Sequence, residues 1–182
     1  MTPKERIKQM RLAPWIATAI MMAFTPGAIA AEARALKWDD LMPPGWIAPL
    51  EEGVLDDPNA PSGIGYDPKF FPVNDALNGQ RIRMPGYVVP LDMGGDTIDE
   101  FLLVSYLGAC IHVPPPPPNQ MVYVKTAKPV KFDGLFMAVW VTGTLATERK
   151  DSELGSAGYS MIAEAVEPYK GPALPIEFNK NE

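Results

Sequence analysis

The chain has 182 residues, 47% of them apolar and 21% charged, with 22 acidic groups against 16 basic ones and a formal charge of −6. Such content supports a folded core, and the negative balance excludes the broad basic surface that nucleic acids or anionic membranes require. One cysteine excludes an internal disulfide, and 21 prolines with 15 glycines argue against long helices.

Lys4, Arg6, Lys8 and Arg11 precede a short apolar stretch at 12–24, and Ala28-Ile29-Ala30 follows it. This order predicts a signal peptide over residues 1–30, with an apolar stretch too short to span a bilayer comfortably. No cysteine follows the cleavage signature, which argues against a lipid-modified N-terminus. Cleavage would leave Ala31 to Glu182 with a formal charge of −9. The chain reads as an exported, periplasmic protein with no stable membrane span after cleavage; an uncleaved anchor is the alternative.

Residues 31–76 read as an extended N-terminal arm, with at most one helical turn near Trp38. Trp38 and Trp46 are expected to pin the arm to the core, because large aromatic rings bury the most area. A β domain is expected over residues 77–170. Arg81-Ile82-Arg83-Met84 alternates as a half-buried strand does, and 87–91 continues it, with Pro85-Gly86 as a bulge or bend. The acidic residues Asp92, Asp96, Asp99 and Glu100 surround Gly94-Gly95, but their spacing is not that of a calcium loop, and a solvated turn is expected. Strands are expected at 101–106, 121–125 and 135–141, the last ended by Gly143, with a final strand or short helix at 159–166. Residues 171–182 read as a C-terminal tail. The fold class is therefore mainly β, and a small OB-like, partly open β-barrel fits the strand count.

The only cysteine and the only histidine sit two residues apart in Gly108-Ala109-Cys110-Ile111-His112-Val113. Pro114, Pro115, Pro116, Pro117 and Pro118 follow, then Asn119 and Gln120. Prolines lack N–H donors and have a fixed φ, so five of them should make a solvated polyproline II strut of roughly 15 Å. In extended backbone Cys110 and His112 share one face.

This run, residues 78–91 and Val141-Thr142-Gly143-Thr144-Leu145 together resemble an exported bacterial family of unknown function with a GACIHVPPPPPNQ signature. The resemblance covers about residues 77–169. It implies an OB-like β domain, and a setting beside ABC-type export or metal-uptake components of the envelope. It implies no reaction.

Three readings fit the Cys110–His112 pair. One sulfur and one nitrogen ligand suit zinc or copper, with Met121 as a further thioether donor. A thiolate stabilised by His112 would make a thiol-dependent enzyme, although no second cysteine is present to resolve a disulfide. The third reading is packing alone, with the proline-rich face and Asn119-Gln120 serving as a strut or docking a partner. The remaining methionines of the exported part, Met42, Met84, Met93, Met137 and Met161, are dispersed as core filling is. The sequence thus points to a periplasmic, non-enzymatic accessory or binding protein, with metal as the leading cargo and nucleic acid excluded.

Overall fold

Apolar residues at alternate positions make the strands, and their order in chain is β1 (Arg34–Ala35), β2 (Arg81–Pro90), β3 (Thr97–Val104), β4 (Met121–Lys131), β5 (Ala138–Ala146), β6 (Lys150–Ser152), β7 (Gly155–Ala157) and β8 (Tyr159–Pro168). The computed structural model describes residues 32–47, 70–92, 94–106, 116–134, 137–172 and 174. All of them belong to one compact unit, Ala31–Glu182. Short 3-10 turns at Trp38–Leu41, Asp75–Leu77 and Pro118–Gln120 join the strands.

Five strands close a barrel whose neighbours run β2, β3, β4, β8, β5 and back to β2. The β4–β8 pairing is parallel and the other four are antiparallel. With the barrel strands counted in chain order, the ring reads first, second, third, fifth, fourth: the Greek-key arrangement of an OB-like barrel. The expected fold class holds. Closure is uneven, because β4 and β8 pair only from Val122 opposite Tyr159 to Thr126 opposite Ala163. Beyond that point a cleft of about 280 Å³ opens between them, lined by Thr126, Lys128, Pro129 and Val130 on one side and Ala163 to Val166 on the other. Lys128 and Pro129 protect the exposed edge of β4 against pairing with another chain.

The barrel interior is built from one face of each strand. Ile82, Met84 and Val88 of β2 meet Phe101 and Leu103 of β3, Val122 and Val124 of β4, Val141 and Leu145 of β5, and Tyr159 and Met161 of β8. Met84, Met121 and Met161 are buried, as core-filling methionines are. A second buried layer, Val89, Leu102, Val104, Met121 and Ala157, involves the opposite faces of β2, β3 and β4.

Pro85-Gly86 lies inside one continuous strand rather than at a break. There β2 changes partner, pairing with β5 from Arg81 to Tyr87 and with β3 from Tyr87 to Pro90. Proline lacks a ladder donor, and the indole of Trp38 instead donates from Nε1 to the Pro85 carbonyl at 2.9 Å. A side chain at Gly86 would strike Leu103 and Trp38. Trp38 therefore pins the arm as expected, while Trp46 donates to the Phe70 carbonyl at 3.2 Å and ties two parts of the arm together.

Two sequence expectations need correction. The strand expected at 135–141 starts at Ala138 and passes through Gly143 to Ala146; Leu135 and Phe136 lie outside the described residues. Gly143 lies inside β5, not at its end, at the point where β8 carries one extra residue, Glu164, and its missing side chain lets the Ile162 carbonyl approach. Of the two alternatives expected for 159–166, the strand is the one observed: it is β8, and it runs on to Pro168. Arg81 and Arg83 are a solvent-facing pair, bonded to Glu164 and Glu167 at 2.8 and 3.0 Å, with Arg83 over Trp140. Exposed pairs of this kind contribute little, because solvent screens them, so the apolar interior dominates stability.

Gly143→Ala should destabilise the domain by about 1–3 kcal/mol, because backbone atoms of β8 must move to make room. Gly95→Ala, where the nearest atom is the Thr97 amide at 4.0 Å, should change stability by less than about 0.5 kcal/mol. Urea midpoints at unchanged slope are the readout.

Candidate functional site

The segment singled out by sequence connects β3 to β4, and Val104 paired with Met121 closes its base. Cys110, His112, Pro114 and Pro115 lie outside the described residues. What is described is the base and the returning limb, residues 116–120.

That limb is not a solvated rod. Pro116 and Pro118 are buried, Pro117 is half-buried, and Pro118 already begins the 3-10 turn Pro118–Gln120. The chemistry of proline explains the bonding. Its carbonyl accepts but it has no N–H to give, so donors come from elsewhere. The Gln120 amide donates to the Pro117 carbonyl at 2.8 Å, and the Gly158 amide to the Pro118 carbonyl at 2.7 Å. A side chain on Gly158 would meet that same carbonyl and Val73, so glycine is needed for the approach.

Asn119 and Gln120, expected to serve a strut or a partner, face inward. Asn119 is fully buried, and its Nδ2 donates to the Pro72 carbonyl at 3.2 Å. Gln120 Nε2 donates to the Trp38 carbonyl at 3.1 Å. Together they fasten the N-terminal arm across the end of the barrel. Met121, offered as a thioether ligand, is fully buried in the outer apolar layer beside Val104 and Leu102.

Tyr159 completes the fastening, a role with no local signature. Its hydroxyl accepts from the Asn74 amide at 2.6 Å and donates to the Leu41 carbonyl. Asn74 Nδ2 donates to the Asp40 carbonyl at 3.0 Å. Partners 85 and 118 residues away in sequence leave no local pattern to read. Burial pushes the Tyr159 hydroxyl up to about 12 from an ordinary 10.0. Tyr123, on the outer face of β4, is also pushed up to about 12, by burial first and then by its bond to Glu100.

Among the described residues no group of three or more His, Cys, Asp or Glu side chains could hold a metal ion. Of the acidic residues expected in a solvated turn, Asp92 and Asp96 precede β3, with Asp92 Oδ1 accepting from the Gly94 amide at 2.9 Å, whereas Asp99 and Glu100 lie in β3 and Glu100 pairs with Lys125 of β4.

The tyrosines set a pH dependence. The fold holds their neutral form, so their contribution is complete below about pH 10 and is lost as pH rises towards 12. Tyr159→Phe should cost about 1–3 kcal/mol at neutral pH, since the Asn74 amide and Leu41 carbonyl lose their partner. It should also flatten the fall in unfolding free energy between pH 10 and 12, measured by denaturant melts across that range.

None of the curated proteins matches the chain. A solved structure of a DUF3299 family protein from Pseudomonas aeruginosa PAO1 is similar, with 46% identity and a TM-score of 0.64. The likeness covers 77% of this chain and 98% of that one. The family model described as "Protein of unknown function (DUF3299)" matches residues 38–168, starting at the tryptophan that fastens the arm and ending with β8. Over that span, barrel and arm anchor together, the chain belongs to the DUF3299 family of proteins of unknown function.

Proposed function

We propose that this chain is an exported, non-enzymatic binding protein of the periplasm that carries a transition-metal ion, zinc or copper, on Cys110 and His112. Its partners are components of an ABC-type transport system in the envelope. One observation carries the reading: the connection holding the only thiol and the only imidazole is anchored at both ends. Val104 and Met121 pair at its base, and Pro116, Pro118, Asn119 and Gln120 are bonded or packed into the barrel end and the arm. Ligands that must meet one ion gain affinity when their supports are already ordered.

The donor set supports carriage rather than permanent ligation. A thiolate and an imidazole suit zinc and copper, yet a structural zinc needs four protein ligands. Carboxylate, water or a partner protein would supply the remainder. Export is supported by the basic, apolar and Ala28-Ile29-Ala30 sequence of residues 1–30. The −9 charge of the exported part supports a soluble protein that leaves nucleic acid alone. The rival reading, a proline face that docks a partner, is weakened by the burial of Pro116 and Pro118.

The test uses protein secreted into the periplasm and purified without chelator. Its N-terminal sequence should begin at Ala31, and calorimetry should detect binding of zinc or copper. Cys110→Ser and His112→Ala should each weaken binding about tenfold or more, and affinity should fall as pH drops and both ligands take protons. Dissociation constants weaker than about 1 mM for both ions, with the thiol reduced, contradict the metal reading. Met1 or Trp15 retained in the secreted protein contradicts the export reading.

A further inference from the structure

The barrel wall is incomplete on one side. Parallel pairing of β4 with β8 stops at Thr126 opposite Ala163, and the strands then part round the cleft of about 280 Å³. There β8 keeps only its β5 partner, and the register tells which peptide groups that pairing uses. The Tyr169 amide donates to the Ala138 carbonyl at 2.9 Å, and in the same register Glu167 lies opposite Trp140 and Ala165 opposite Thr142. In an antiparallel ladder such bonded pairs alternate with pairs whose N–H and C=O groups point away from each other. Val166 and Pro168, opposite Val141 and Val139, belong to the second class. The Val166 amide and the carbonyls of Val166 and Pro168 therefore face the cleft. Among the described residues no strand pairs with them there.

The two walls of the cleft differ. β4 is closed to pairing by Lys128 and Pro129, whereas on β8 the first proline, Pro168, comes after the open amide of Val166. The floor is apolar: Ala163 is buried, and half-buried Val130 and Val166 pack on the barrel interior. The rim carries one available charge. Lys125 and Lys131 are bonded to Glu100 and Asp133, at 2.6 and 2.8 Å, but exposed Lys128 has no carboxylate partner among the described residues. The acidic groups of β8 are already matched, Glu164 by Arg81 and Glu167 by Arg83.

We propose that the open edge of β8 docks an extended segment of a partner protein in which aliphatic and acidic side chains alternate. Each part of that description answers a feature of the cleft. Peptide groups left open along a strand edge are met best by another peptide backbone, which adds as a strand. Successive side chains of a strand point to opposite faces, so one set of the guest's side chains meets Val130 and Val166 while the other stays at the rim. Lys128 selects acidic groups for that second set. The inference is independent of the metal reading, because the cleft lies at the far end of β4 and β8 from the proline limb, which abuts Met121 and Gly158.

The test titrates the purified protein with acetylated seven-residue peptides in which valine alternates with glutamate, lysine or serine. Followed by amide NMR at low salt, the valine–glutamate peptide should bind with a dissociation constant below about 1 mM. It should shift the Val166 amide and protect it from hydrogen exchange about tenfold. The valine–lysine peptide should bind about fivefold more weakly, with the serine peptide between, and Lys128→Glu, a change at an exposed site, should reverse that order. Methylating the backbone nitrogens of either the valines or the glutamates separates strand addition from loose adhesion. One set should lose about tenfold in affinity and the other should not, because only alternate amides face β8. No binding tighter than about 1 mM, equal effects of the two methylations, or a charge preference that Lys128→Glu leaves in place overturns the proposal. Protection of the Val166 amide that grows with protein concentration in the absence of peptide would put a second copy of this chain on the edge, and overturns it as well.

Discussion

A stretch of proline can accept hydrogen bonds but cannot give them, and one end of this barrel is organised round that asymmetry. The carbonyls of Pro117 and Pro118 are satisfied by amides of Gln120 and Gly158. The side chains that follow, Asn119 and Gln120, then donate to the carbonyls of Pro72 and Trp38. Three of these four bonds join the limb to another part of the chain, at Gly158, Pro72 and Trp38. The proline limb is consequently the place where the N-terminal arm, the β3–β4 connection and the approach to β8 are joined.

The barrel makes this junction possible. Closure of β2 onto both β3 and β5 forces a change of partner at Tyr87, and Pro85-Gly86 accommodates it by offering no donor and no side chain. The indole of Trp38 lies over that gap, bonded to Pro85, while its own carbonyl is held by Gln120. Tyr159, first residue of β8, reaches the arm from the opposite side through Leu41 and Asn74. Burial of Leu36 and Leu41 of the arm, and of Leu77 just after it, adds roughly 1.5–3 kcal/mol per side chain, more than the exposed ion pairs supply. The family match beginning at residue 38 agrees with an arm that is part of the domain.

Much of the barrel was legible in the sequence. Alternation at Arg81-Ile82-Arg83-Met84 and at Met121 onward reports directly which face is inside, and strand count led to an OB-like barrel. Gly143 misled: it looks like a strand terminator locally, but it is a site of close approach between β5 and β8, whereas Pro85-Gly86 was read as a bulge or bend inside a continuing strand and lies where β2 changes partner. The β6–β7 hairpin was missed because three-residue strands of Lys, Asp, Ser, Gly and Ala carry no apolar period. Asn119 and Gln120 were legible as important and not as inward-facing, since their partners lie 47 and 82 residues away. Tyr159 had no signal at all.

The central claim is that the proline limb, the arm and the start of β8 hold one another as a single unit. A double-mutant cycle between Asn119→Ala and Tyr159→Phe tests it most directly, because the two side chains share no hydrogen bond and reach the arm from different elements. Coupling of about 0.5 kcal/mol or more in unfolding free energy is the result expected of one cooperative junction. Losses that add to within about 0.3 kcal/mol would show two independent fastenings and contradict the account.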